Sequence, residues 1–369
     1  MEFTAGGRLE VQITPFDVGK RVSVRRLGDP ASQTETFTDT VGVLTSWDEG
    51  VLLITRRTGE TVRIAESSLV AGKAVPAAPA RRRGPAAGFG ELARAQARAW
   101  QPEESRPLGQ WTLRAARGFT RRANSVLAVG DPGMPLDDAL ARVRAWYGER
   151  GLPAYVQAAT GAEGTQEALC AALEERGWRR EVSAEVRIGG LAPVADLGTD
   201  LPGAGLPGTD LPGAGLPRTG LPGAGPGPGP DGASAGEAAG RVTLSRTPDA
   251  GWLRRYQRVG EPGPHVLNVL STGPSVWFAS VQGGGGVPVA IGRCVVDARW
   301  AGFMAVEVDP AYRRRGLARA VMAALAGRAL EEGASAAWLQ VETGNTAARA
   351  LYDGMGFAVH HLYHHFRAS

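Results

Sequence analysis
The spacing of apolar and polar positions changes period along the chain, and each change marks a segment. From Val18 to Arg26, Val22 and Val24 fall on one face and charged residues on the other, the period-two pattern of a half-buried strand. Further strands are predicted over Thr40–Thr45 and Gly50–Thr55, joined by the turn Trp47-Asp48-Glu49-Gly50, and from Thr61 to Ile64 after Thr58-Gly59-Glu60. Four or five short strands at this spacing predict a small all-β unit over residues 1–75. Residues 76–87, rich in Pro, Ala and Arg, have no apolar period and read as a linker, with Arg81-Arg82-Arg83 as a solvated hinge.

Over residues 88–190 helical and strand periods interleave. Leu92–Trp100 is helix-prone and Pro102 stops it, Leu136–Tyr147 puts Leu136, Leu140, Val143 and Tyr147 on one stripe, and Glu167–Arg176 ends at Gly177. Trp111–Ala115, Ser125–Val129, Ala154–Ala159 and Val182–Ile188 predict strands. Residues 191–240 carry a near-decamer repeat starting at Leu201, Leu211 and Leu221, too dense in Gly and Pro to offset the entropy of ordering, and are predicted to be a disordered linker. From residue 241 to 369 the predicted order is strand (Val242–Ser245), helix (about Asp249–Arg258), strand (Val276–Gln282), a glycine hairpin (Gly283–Gly286), and strands Pro288–Val296 and Ala301–Asp309. A long helix ending near Glu332, strand Ala336–Glu342, helix Asn345–Asp353 and a last strand or hairpin (Phe357–Phe366) complete it.

Composition narrows the class. A chain of 369 residues is too long for one ordinary core and predicts two or three domains, and 43% hydrophobic with 21% charged residues is globular. No apolar run is long enough to span a membrane, and the start lacks the basic-then-apolar pattern of a secretory signal, so a cytoplasmic protein is expected. Cys170 and Cys294 lie far apart without metal-type spacing, which predicts buried apolar fillers, with no disulfide and no structural zinc. The net charge of +4 and pI near 9.4 come almost wholly from Arg, Lys occurring only at Lys20 and Lys73. Arg-, Ala-, Gly- and Pro-rich usage is what a GC-rich coding sequence produces, so basicity alone does not indicate nucleic acid. Over residues 1–83 basic residues barely outnumber acidic ones, which favours a peptide or intramolecular partner for the β unit.

The chemistry lies in the last segment. Arg313-Arg314-Arg315-Gly316-Leu317-Ala318 forms a short turn between a strand and a long helix. Unpaired N–H groups and the dipole at such a helix start favour a phosphate or pyrophosphate, and Gly316 allows close approach. Neither GxxxxGK[ST] nor GxGxxG is present. Asn345 is a natural N-cap, Tyr352 lies seven residues on and on the same face, and Gly356-Phe357 starts the next strand.

These two stretches resemble the GCN5-related N-acetyltransferase (GNAT) superfamily: Arg313–Ala318 its [Q/R]-x-x-G-x-[G/A] pyrophosphate loop, and Asn345–Phe357 its N-x-x-A-x-x-L-Y-x-x-x-G-F segment. The resemblance covers roughly Arg241 to Arg367 and implies a GNAT fold: a mixed, splayed sheet with flanking helices, acyl-CoA lying between the strands that end near Asp309 and Glu342. It implies acetyl-CoA as co-substrate, no metal, and an amine acceptor. Backbone groups of Val306 and Val308 would pair with the pantetheine, amides of Arg314, Arg315, Gly316, Leu317, Ala318 and Arg319 beside Arg313 would hold the pyrophosphate, and Asn345 would touch the pantetheine arm. Tyr352 would protonate the departing thiolate. In ribosomal-protein N-terminal acetyltransferases a Glu precedes this tyrosine by twelve residues; here Gln340 stands there, leaving Glu307 and Glu342 as candidate bases. The histidines at 360, 361, 364 and 365 fall in adjacent pairs on opposite faces of a strand, which disfavours a complete metal ligand set.

Residues 88–190 look like the front part of a second, degenerate GNAT unit without a pyrophosphate loop, whose elements could complete the substrate pocket. The whole resembles actinobacterial acetyltransferases with an SH3-like N-terminal barrel. The expected activity is acetyl transfer to a primary amine of a small molecule or peptide; the alternatives are a catalytically weak acyl-CoA-binding regulatory module and O-acyl or aminoacyl transfer.

Overall fold
The computed structural model describes residues 10–27, 37–75, 85–197, 242–256, 262–283 and 286–369; the predicted repeat linker lies almost wholly outside them. The alternating N-terminal residues build β1 (Arg21–Leu27), β2 (Phe37–Asp48), β3 (Val51–Thr55), β4 (Thr61–Ala65) and β5 (Leu69–Ala74), antiparallel in the order β4-β3-β2-β1-β5. Val22, Val24, Leu44, Leu52, Ile54 and Ile64 form its core. Glu49 and Gly50, at φ 46° and 73°, supply the left-handed pair that the tight β2–β3 turn needs. The turn after β3 meets the rest of the chain: Arg180 donates to the Gly59 carbonyl at 2.5 Å and Arg57 to the Val359 carbonyl at 3.2 Å. A Cβ on Gly59 would lie 2.6 Å from Arg180 Nη1 and 2.7 Å from the His364 ring, so a side chain there would push the two apart.

The middle segment contributes α1 (Phe89–Ala99), β6 (Glu104–Leu108), β7 (Trp111–Ala115), β8 (Val126–Leu127), α2 (Leu136–Gly148), β9 (Tyr155–Thr160), α3 (Glu167–Glu175), β10 (Arg179–Gly190) and α4 (Ala192–Asp196). The last segment contributes β11 (Val242–Ser245), α5 (Ala250–Arg255), α6 (Pro264–Ser271), β12 (Ser275–Val281), β13 (Ala290–Asp297), β14 (Trp300–Val308), α7 (Leu317–Glu331), β15 (Ala336–Glu342), α8 (Thr346–Gly354) and β16 (Ala358–Arg367).

All the strands from β6 on join one eleven-stranded sheet, β11-β12-β13-β14-β15-β10-β16-β9-β8-β7-β6. Its order is mirrored about the β10–β16 pair. In each half a parallel pair (β14–β15, β8–β9) is joined through a helix (α7, α2), and the final strand of each half lies between two strands of the other segment. Thus β10 runs antiparallel between β15 and β16, and β16 between β10 and β9. On one side of the sheet α1, α5 and α6 cover Trp338, Val186 and Met304; on the other, α7 and α8 cover Phe303, Leu339 and Val341.

Three elements depart from the sequence reading. The edge strand β6 contains Pro107 and buries only Leu108, so it has no apolar period to detect. Helix α4 falls inside the stretch assigned to the linker: Leu191 and Val194 are buried in the α7-side core, and the Leu191 N–H donates to the Ser335 carbonyl at 3.0 Å. Helix α6, one short stripe of Val266, Val269 and Leu270, has too few turns to announce itself. Among the described residues no helix is long and apolar enough to cross a membrane.

Candidate functional site
Strands β14 and β15 pair from Trp300↔Ala336 to Phe303↔Leu339 and then part. The cause is local to β14. Ala305 takes φ 52°, and the register against β13 shifts between Ile291 and Arg293, so the chain bulges away from β15. Gly292 lets α7 press on the sheet beneath this point, since a Cβ there would lie 2.5 Å from the Val321 side chain.

After β14, Asp309 fixes the turn. Its carboxylate accepts from the Ala311 N–H at 2.9 Å and from Arg255 at 2.5 Å, and these contacts, the Ala311 bond foremost, hold its pKa below the ordinary 3.8. Arg314 and Gly316 then take φ 64° and 79°, and Gly316 is the N-cap of α7. Glycine offers no capping oxygen and the first turn holds no acid, so the leading N–H groups are left for an external acceptor. Among the described residues Arg313, Arg314, Arg315 and Arg319 make no ion pair; Arg315 lies over the Tyr312 ring at 5.0 Å.

Helix α8 opens as its sequence predicts, with the Asn345 side chain accepting from the Ala348 N–H at 3.1 Å. Tyr352 is 9% exposed, packs edge-on to Phe357 at 6.1 Å, and belongs to one apolar cluster with Val306, Val308, Tyr312 and Leu317. The structure therefore brings the candidate acid, the β14 backbone and the phosphate turn together on the α7 side. Glu307 is registered opposite Ile291, a residue of the α1-side core, which places it across the sheet.

Two arrangements carry no sequence signal. Arg187 on β10, 2% exposed, donates to Glu185 at 2.7 Å and to Asp353 of α8 at 2.6 Å, while Arg349 of α8 pairs with Glu185 at 2.8 Å. The helix bearing Tyr352 is thus anchored by a strand of the middle segment. On the α1 side, Gln340 donates to Gln96 at 2.9 Å and accepts from Arg122, closing a narrow cleft with free space for about one water molecule (about 10 Å³). Middle-segment residues contribute most of its lining.

Only the second histidine pair divides between faces as its spacing predicts; a register shift opposite Val186 and Arg187 leaves His360 beside His361, their Nδ1 atoms 2.8 Å apart. His364 bonds Thr160 at 2.9 Å and Ser183 at 2.7 Å, and burial pushes its pKa, like that of His361, down to about 3. His365 stands on the opposite face, edge-on to Tyr155 and Tyr363. Among the described residues no group of three or more metal-ligating side chains forms. Both cysteines are buried and unpaired, and burial pushes the Cys294 thiol up to about 12.

Comparison with known proteins fits this geometry. A family model described as probable histone acetyltransferase Rv0428c C-terminal matches residues 87–176 and 231–366, and the Rv0428c N-terminal Sm-like domain matches residues 16–73. The second match corrects the SH3-like expectation; strand number and spacing are shared by small barrels of both kinds and do not separate them. The probable histone acetyltransferase Rv0428c of Mycobacterium tuberculosis is 27% identical over 355 residues, 93% of each chain. The ribosomal protein bS18-alanine N-acetyltransferase of Escherichia coli K12 is 38% identical over 80 residues, 22% of this chain and about half (53%) of that protein. A solved GCN5-related N-acetyltransferase from Kribbella flavida, 17% identical, covers 76% of this chain and 96% of its own with a TM-score of 0.49. With its family model matched over more than half its length and its named relatives acetyltransferases, the chain belongs to the Rv0428c family of the GNAT superfamily and carries that family's Sm-like N-terminal domain.

Proposed function
We propose that the last segment transfers an acetyl group from acetyl-CoA to a primary amine by direct attack. The observation that carries this reading is the parting of β14 and β15 beside the uncapped, arginine-rich start of α7. A thioester supplies an activated acetyl group and a leaving thiolate. The α7 N–H groups and Arg313–Arg315 hold the pyrophosphate, Gly316 allowing close approach. The freed β14 backbone at Val306 and Val308 takes the pantetheine as an added strand would, with Asn345 at its flank, and polarises the carbonyl. The amine nitrogen forms the new C–N bond as the C–S bond breaks, and Tyr352 gives its proton to the sulfur. Glu307, on the opposite side of the sheet, takes the proton from the incoming amine.

The middle segment serves this reaction without a CoA site of its own. It is a degenerate acyltransferase half whose β10 anchors α8 and whose α1 and Arg122 wall the acceptor side. The contacts of the Arg57–Gly59 turn with Arg180 and Val359 support an intramolecular partner for the Sm-like domain. A free-thiol release assay with acetyl-CoA tests the reading across amino acids, peptides, polyamines and aminoglycosides. Amine-dependent CoA release that Tyr352→Phe abolishes is expected; release unchanged in that variant overturns the assigned mechanism.

A further inference from the structure
The cleft beside Gln340 concentrates positive charge that no carboxylate among the described residues answers. Arg114, 5% exposed, lines it, and its hydrogen bonds go only to neutral groups: the Ser125 carbonyl at 2.9 Å, the Ser125 hydroxyl at 3.0 Å and Gln157 Oε1 at 2.9 Å. Arg122 lines the same cleft, donates to neutral Gln340 and lies 5.3 Å from the centre of the Trp100 ring. Behind them Arg293, fully buried, stands 5.0 Å from that same ring and is held by the Leu270, Ala99 and Thr272 carbonyls and Met304 sulfur. Among the described residues none of the three makes an ion pair. Glu181, on neighbouring β10, is taken up by Tyr155 at 2.8 Å, Arg367 at 3.1 Å and Arg121 at 3.7 Å.

A buried guanidinium without a counter-charge is costly, and burial, reinforced by the charge of Arg122, pulls Arg114 down to about 10 and Arg293 to about 9. Two further groups have buried polar atoms that find no hydrogen-bond partner among the described residues. The Gln96 amide nitrogen, in the cleft wall, is buried with no hydrogen bond. His365, 2% exposed and registered opposite Gln157, has neither ring nitrogen bonded. The cleft thus offers donors in excess, two of them guanidinium groups suited to a carboxylate, between the indoles of Trp100 and Trp338.

We propose that this cleft binds the carboxylate of the acceptor, so that the enzyme acetylates a small amine carrying its own carboxylate, such as an amino acid, in preference to a polycation. The inference rests on the acetyl-transfer reading above and deepens it. Arg122 exchanges its bond to Gln340 for the ligand carboxylate, and like-charge repulsion excludes polyamines and lysine-rich tails.

The test uses the full chain and two independent readouts. In thiol release, amino acids are expected to out-compete their own amides, polyamines and a lysine-rich peptide. In calorimetry without CoA, N-acetylalanine is expected to bind and N-acetylalaninamide not. Arg122→Gln raises the KM of the amino acid and the Kd of N-acetylalanine by about tenfold or more, the size of a lost charge-assisted hydrogen bond, while CoA affinity holds and Arg122→Lys recovers part of the loss. Should Arg122→Gln fail to fold, Gln96→Leu gives a smaller loss in the same direction. Equal binding of acid and amide, or polyamines as the better acceptors, overturns the proposal. Absence of turnover with every amine sinks the acetyl-transfer reading instead, while the calorimetric pair still decides whether the cleft holds a carboxylate.

Discussion

The two halves of the sheet share a frame and differ in charge at one turn. Each has a parallel strand pair joined through a helix whose entry turn contains glycine, yet the entries are electrically opposite. Before α7 the turn reads Arg313-Arg314-Arg315-Gly316, the N-cap has no side chain and the first helical turn has no acid. Before α2 it reads Gly130-Asp131-Pro132-Gly133-Met134-Pro135: Asp131 already accepts from the Gly133 N–H at 2.5 Å, and Asp137 and Asp138 occupy the first helical turn. A pyrophosphate would meet guanidiniums and open amides at one entry, and carboxylates, with the loop amides of Asp131 and Gly133 already bonded, at the other. Strand order builds a place for a ligand; a handful of residues at a helix start decides whether an anion can use it.

Predictions follow in order of size. Tyr352→Phe is expected to lower kcat by about 10²- to 10⁴-fold, the range for lost general acid catalysis, with CoA affinity unchanged in calorimetry. Arg187→Met, which cuts the α8 anchor, is expected to lower stability by about 1–3 kcal/mol in urea denaturation, because buried Glu185 keeps only its Arg349 partner while exposed Asp353 returns to water. Gly316→Ala forces a side chain into φ 79° and is expected to weaken CoA binding by about tenfold, the equivalent of roughly 1–2 kcal/mol of backbone strain. Asp131→Asn, the matching change at the other entry, leaves CoA affinity and stoichiometry as they were; a gained second site would break the comparison.

The smallest effect concerns pH. The pKa of Asp309 is held below its ordinary 3.8 in the folded chain, so its contribution to the turn is complete above that value and is lost as pH falls through the lower folded value. Melting temperature followed from pH 6 to about pH 3 should fall less steeply in Asp309→Asn than in the parent.

Much of this was legible in the sequence where local chemistry dictates structure. Strand β15 spans Ala336–Glu342 as predicted, and Asn345 caps α8. The strand exchange was not legible, because an apolar period tells that β10 and β16 are strands without naming their neighbours. Nor were the contacts it creates: Arg187 with Asp353 and Arg122 with Gln340 join residues far apart in sequence, and a lone arginine in a strand or turn reads as solvated. Pro107 and the few apolar residues of β6 and α4 hid those elements for the same reason; burial there comes from tertiary packing.

The central claim is one acyl-CoA site per chain, at the start of α7. Titration calorimetry of CoA into the full chain tests it directly. The account predicts a stoichiometry of one, weakened by Gly316→Ala and indifferent to Asp131→Asn. No binding, or two equivalents bound per chain, would contradict it.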